Sequence, residues 1–121
     1  MYAELLARRV LIRRFERWSE QEARDAGLTP AQHQLLLAVR GHGEPAGPTI
    51  GDLADYLLLK HHSVVGLVNR AELAGLVTRV RYDDDQRVVR VHLTSDGSNR
   101  LQRLSVRHLE ELERLGHQLP G

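Results

Sequence analysis

Cysteine is absent from this 121-residue chain. That removes disulfides, thiolate nucleophiles, cysteine-ligated zinc and every thiol redox switch in one step. No apolar run approaches the roughly 18 residues of a membrane-spanning helix. Arg8, Arg9, Arg13, Arg14 and Arg17 interrupt the N-terminal apolar stretch, so a secretory signal is not expected and a cytoplasmic, membrane-free protein is. A large net charge is missing too: 17 basic side chains stand against 16 acidic ones, a formal +1. There is no Gly-rich phosphate loop, no metal-ligand spacing and no Ser/His/Asp arrangement. Catalytic residues, a metal site and a cofactor are therefore not expected, and the chain does not read as an enzyme.

What remains is a single domain's length with 41% hydrophobic residues, enough for a core. Residues 3–26 read as one long Leu/Arg/Glu-rich helix ended by Gly27. Leu5, Leu11, Ile12, Phe15 and Trp18 form one apolar side of it, and Tyr2, Leu6 and Val10 a second. Two apolar sides fit either burial against a second subunit or coverage of two parts of one core. Thr29, Pro30 and Gln32 mark the start of a second helix, which runs to about Arg40. A Gly/Pro loop from Gly41 to Pro48 follows, and then Thr49 and Asp52 open a short third helix. The leucines at 57–59 close it, and Lys60, His61 and His62 make a turn.

The next helix, beginning near His62 or Ser63, has the buried stripe Val64, Leu67, Val68 and Ala71 at i, i+3, i+4, i+7 spacing. Its opposite face presents His62, Val65, Gly66, Asn69 and Arg70. Gly75 stops it, and the period changes from 3.6 to 2. Val80 and Tyr82 alternate with Arg79 and Arg81; Val89, Val91 and Leu93 alternate with Val88, Arg90 and His92. One ribbon face is expected on the helices and the other in water with the arginines, joined by a tip of Asp83, Asp84, Asp85, Gln86 and Arg87. Residues 60–94 are the most basic segment, with six cations against four acids. Thr94 caps a last helix, about Ser95 to His117, with Leu101, Leu104, His108, Leu112, Leu115 and Leu119 on one narrow stripe.

The fold class is mainly α with a small β-wing: a winged helix-turn-helix plus N- and C-terminal helices. In one domain, residues 28–94 are expected to form the winged lobe, with 1–27 and 95–121 as flanking helices and candidates for dimerisation. A helix feeding a charged ribbon suits double-stranded DNA, with the helix in the major groove and the ribbon tip near the backbone or minor groove.

Four stretches, "LTPAQHQLLLAV" (28–39), "TIGDLADYL" (49–57), "SVVGLVNRAELAGLVTR" (63–79) and "DDDQRVVRVHLTSDG" (83–97), come in the order and spacing of one family. Together they resemble the MarR family of bacterial winged-helix regulators, over about residues 1–117. The resemblance implies a homodimer on a pseudo-palindromic operator, usually as a repressor, with ligands between the dimerisation helices and the DNA-binding lobe. Carried over by position, Ser63, Val65, Gly66, Asn69 and Arg70 fall on the DNA-facing side of the recognition helix. Arg87 takes the place of the wing arginine and Asp85 that of its supporting acid. Gly66 and Val65 stand where longer or polar side chains are common, Ala71 where leucine is usual, and one helix follows the wing where the family generally has two.

The residue chemistry agrees in kind. Asparagine bonds adenine bidentately and arginine takes guanine or phosphate, which suits Asn69 and Arg70. His61 and His62 at a helix start suit phosphates, and Arg87 suits a narrow minor groove. Asp85 is expected to hold Arg87 or Arg79 in a fixed pose. His108 interrupts the leucine seam, either as a responsive group at the dimer interface or as a residue bonded to a neighbour across it. Phe15, Trp18 and His33 are candidates to line a pocket for a small aromatic or lipophilic effector, with plain core as the alternative. Dimerisation falls to Leu5, Ile12, Leu101, Leu104, His108, Leu112 and Leu115. A second function class stays open: a winged-helix protein-interaction module that does not read DNA.

Overall fold

The structure is a computed structural model and describes residues 1–81 and 88–118. Within them the order is α1 (Tyr2–Asp25), α2 (Pro30–Gly41), α3 (Ile50–Leu57), α4 (His61–Leu73), β1 (Val77–Arg81), β2 (Val89–Leu93) and α5 (Ser95–Gly116). This is the mainly helical fold with a small wing that the residue pattern predicts. No helix among the described residues is long and apolar enough to cross a membrane.

The chain divides into two compact units, Met1–Pro30 together with the chain from Gln102 onward, and Ala31–Leu101. In the first, α1 closes on Gly27, whose N–H donates to the Arg24 carbonyl while Leu28 N–H reaches back to Ala23. The Arg107 guanidinium on α5 grips both carboxylate oxygens of Glu22 on α1. Beside that ion pair, His108 Nδ1 lies 2.7 Å from the Leu104 carbonyl and Nε2 2.7 Å from Ser19 Oγ. A carbonyl only accepts, so Nδ1 carries the proton in the neutral ring and Nε2 accepts from the serine hydroxyl.

The second unit begins with α2, whose Leu35, Leu36 and Val39 are buried. Thr49 and Asp52 then form the expected capping box: Asp52 N–H donates to Thr49 Oγ1 at 3.1 Å and Thr49 N–H to Asp52 Oδ2 at 3.0 Å. That backbone N–H, foremost, holds the Asp52 carboxyl below its ordinary value; the Thr49 hydroxyl, His42 and Arg90 add to this and desolvation opposes it. The helix ends on a leucine in left-handed geometry, Leu58 at φ 55°, and Leu59 N–H bonds the Ala54 carbonyl. A glycine would make this turn without the Cβ penalty. α4 starts at His61 with Lys60 as N-cap, so His61 and His62 belong to the first turn of the helix rather than to the turn before it. Its buried residues are Val64, Leu67, Val68 and Ala71, as the spacing predicts.

The exit of α4 and the entry of α5 form one joint. Gly75, at φ +76°, reverses the chain, with Leu76 N–H on the Ala71 carbonyl. The Leu76 carbonyl accepts from Thr94 N–H at 3.0 Å. Thr94 Oγ1 donates to the Gly75 carbonyl at 2.6 Å and accepts from Gly97 N–H at 3.0 Å. Gly97 sits so close that a Cβ there would stand 2.1 Å from the Leu76 carbonyl oxygen. No side chain fits.

The ribbon is antiparallel, pairing Val77 with Leu93, Arg79 with Val91, Val80 with Arg90 and Arg81 with Val89. Paired residues share a face. Arg79 and Arg81 therefore lie on the face of the buried Val91, and Val80 on that of Arg90 and His92, which corrects the expected division into an apolar face and an arginine face. The physical reason is that both faces find cover. Glu72 of α4 meets Arg79 on one side. On the other, Arg90 Nη1 donates to the Gly47 carbonyl at 2.9 Å, and His92 Nε2 lies 2.8 Å from the Ala46 carbonyl.

Candidate nucleic-acid interface

The outer side of α4 is built by subtraction. Burial takes Val64, Leu67, Val68 and Ala71 inward, which leaves His61, His62, Asn69 and Arg70 exposed and Ser63, Val65 and Gly66 half-buried along the opposite side. The first turn keeps its own amide donors: Lys60 caps the helix through its backbone alone, and its carbonyl accepts from Ser63 and Val64 N–H. The N–H groups of His61 and His62 then have no helical acceptor to use and suit an anion. Among the described residues, Lys60 and Arg70 have no ion-pair partner, so both cations are available to phosphate or base.

The last turn of α4 is less open. Arg79 of β1 donates from Nη1 to Glu72 Oε1 at 2.7 Å and from Nη2 to Asn69 Oδ1 at 2.5 Å. Its backbone N–H also meets Glu72 Oε2 at 3.3 Å. The acid that holds Arg79 is Glu72. Asp85 and Arg87, expected as the wing's acid and arginine, lie outside the described residues. The Asn69–Glu72–Arg79 cluster was not anticipated, although an acid three residues before a glycine stop and an arginine four residues after it was a readable signal.

The remaining candidate residues fall in both units. Phe15 and Trp18 come together, with ring centroids 6.1 Å apart, and a further ring beside them is His108, at 5.9 Å from Phe15 and 4.8 Å from Trp18. His33, grouped with them from the sequence, is buried on α2 in the other unit. Of the proposed dimer residues, Leu5, Ile12 and Leu112 are about half exposed, at 55%, 53% and 48%. Leu101 and Leu104 are buried within the chain, and His108 is spent on Ser19 and the Leu104 carbonyl. A helical seam can serve a chain's own interior as readily as a partner. Among the described residues no group of three or more His, Asp or Glu side chains is placed to hold a metal ion.

A short capped helix, a turn, a second helix with a polar outer side and a two-stranded ribbon after it define a winged helix-turn-helix. Residues 26–88, 63 of the 121 positions, match the MarR family profile, and the chain belongs to that family of transcription regulators. It is similar to the transcriptional activatory protein BadR of Rhodopseudomonas palustris, with 35% identity over 71 residues. The aligned part takes in 59% of this chain and only 41% of that relative, so the chain spans about two fifths of its length. Among solved structures, the S. aureus MepR–DNA complex matches with a TM-score of 0.80 at 22% identity, over 99% of this chain and 85% of the other. A MarR-family regulator from Silicibacter pomeroyi matches with a TM-score of 0.74 at 26% identity, over 94% and 74% of the two chains.

Proposed function

We propose that this protein is a homodimeric, ligand-responsive repressor that binds a pseudo-palindromic operator, with α4 in the major groove and the wing tip against the backbone or minor groove. The observation that carries the proposal is the outer side of α4. Its free N-terminal amides, Lys60, Asn69 and Arg70 are displayed together on a helix whose other side is fixed in the core. MepR, in the same fold, is seen bound to DNA. The net charge of +1 does not oppose binding, because a local patch sets the field at the phosphates.

Pairing of subunits has its own support. Tyr2, Leu5, Leu6 and Ile12 on α1, and Val106, Leu109 and Leu112 on α5, are large apolar side chains left in water. Such residues in number mark an interaction surface. A two-fold dimer sets two recognition helices on successive major-groove faces, which is what a palindromic operator requires. Phe15 and Trp18 remain the aromatic group suited to a small aromatic or lipophilic effector.

The test is a gel-shift and anisotropy series with the purified protein on genomic duplex fragments. Selective retention is expected, with log affinity falling by about 0.9 per log unit of salt for each phosphate neutralised. Equal affinity for all fragments at moderate salt, together with recovery of a protein partner, would favour an interaction module instead. A reporter driven from the retained fragment decides the direction of control: rising expression on deletion of the gene fits repression, and falling expression fits activation, as in BadR's name.

A further inference from the structure

Asparagine in a recognition helix reads adenine by using both ends of its amide, Oδ1 accepting from N6 and Nδ2 donating to N7. Here one end is already in use. Asn69 Oδ1 accepts from Arg79 Nη2 at 2.5 Å. A guanidinium has donors only, so the atom it meets must be the amide oxygen; one of its two lone pairs is then committed beside a positive charge, while both Nδ2 hydrogens are left for a ligand. Arg79 is held in turn by Glu72 through Nη1, at 2.7 Å, and through its own backbone N–H, at 3.3 Å. Three bonds fix its position, two of them charge-assisted to the same carboxylate.

The neighbouring side chain has the same polarity. A Cβ added at Gly66 would lie 3.2 Å from Arg70 Nη1, so the Arg70 guanidinium lies back along the helix over the notch that this glycine leaves. Asn69 and Arg70 together then offer N–H groups, and the one acceptor between them is already engaged by a cation.

We propose that Glu72 and Arg79 form a clamp that makes Asn69 read chiefly as a donor, so that it selects an acceptor edge, guanine N7/O6 or thymine O4. Adenine and cytosine are disfavoured there, because the amino group each places in the major groove would have to share Oδ1 with the Arg79 guanidinium and lie against its positive charge. Arg79 acts as a positioning residue, through Asn69. This assignment rests on the DNA-reading function proposed above.

The experiment is selection of bound duplexes from a library of two-fold symmetric, randomised half-sites, with wild type, Asn69→Ala and Arg79→Met, each checked for folding by thermal melting. The position read by Asn69 is the one whose base preference disappears in Asn69→Ala. Wild type is expected to select guanine or thymine at that position. Arg79→Met keeps the aliphatic stem, frees Oδ1, and is expected to raise the share of adenine at that one position about tenfold, the scale of one base-edge contact. Should Arg79→Met fail to fold, Glu72→Gln loosens the clamp with its volume kept and is expected to move the preference the same way by less. Adenine selected by wild type at the Asn69 position overturns the clamp while leaving DNA reading intact. The clamp is equally overturned if no position depends on Asn69, or if loosening it leaves the preference unchanged. Retention of no duplex by wild type overturns both proposals.

Discussion

The two units of this chain differ in what they own. Among the described residues, every one of the largest fully buried side chains, including Leu35, Leu36, Leu53, Val64, Leu76 and Val91, belongs to Ala31–Leu101. The unit of α1 and the later part of α5 buries Leu28 and Leu104 beside Ser19 and Ala23, and leaves Tyr2 and Leu109 at 80% and 68% exposure. One unit holds the largest buried side chains. The other leaves more large apolar side chains in water, and the subunit pairing proposed above would cover them.

The sharpest way to break the unit with the larger core is Gly97→Ala. With the Leu76 carbonyl oxygen 2.1 Å from the new methyl, α4's exit must shift, at an expected cost on the order of 3 kcal/mol. A fall in the urea midpoint measures it; an unchanged midpoint would mean the joint is loose. The opposite unit is tested by Leu6→Glu with Leu109→Glu. Burial of a leucine is worth about 1.5–3 kcal/mol, so the pair should weaken dimerisation at least a hundredfold by sedimentation and remove any dependence of melting temperature on concentration. A variant that sediments as a dimer refutes the assignment of that surface.

Thr49→Ala removes the cap of α3 and should cost about 1 kcal/mol. It also changes acid sensitivity. The Asp52 carboxyl is held below 3.8 in the fold by the Thr49 N–H first of all. Its contribution is therefore complete above that value and disappears as pH falls through the lower folded pKa. Asp52→Asn should flatten the acid limb of the stability curve below about pH 4, while an unchanged limb would show that the cap carries no linked charge. The smallest expected effect is a gain. Leu58→Gly relieves a left-handed leucine that is 90% exposed and should stabilise by up to about 1 kcal/mol. Loss of stability there would mean that this leucine is packed on something in solution.

Helices were readable because their signals are local. Thr49 with Asp52, Gly27, Gly75 and the Val64–Ala71 stripe announce starts, stops and buried faces within a few residues. The ribbon's faces were not, because alternation separates two faces without saying which neighbours cover each; the 41–48 loop and α4 cover both, and arginine and valine share sides. The clamp joins residues 7 and 10 positions apart across a chain reversal, and the Ser19–His108 bond spans 89 positions. No periodicity encodes such pairs. The outer side of α4 was thus legible as a list of side chains but not as a set of hydrogen-bonding polarities.

The joint at Leu76, Thr94 and Gly97 has a mechanical consequence. Its main contacts are main chain against main chain, with a single threonine hydroxyl as the pin. Backbone geometry does not soften when side chains drift, so the exit of α4 and the entry of α5 are bound to travel as one piece. Spin labels at Leu73 and Asn99 should hold one narrow separation through every state the regulator visits. Any rearrangement that reorients α4 must carry the root of α5 with it, so the first turn of α5 is a reporter of where α4 points.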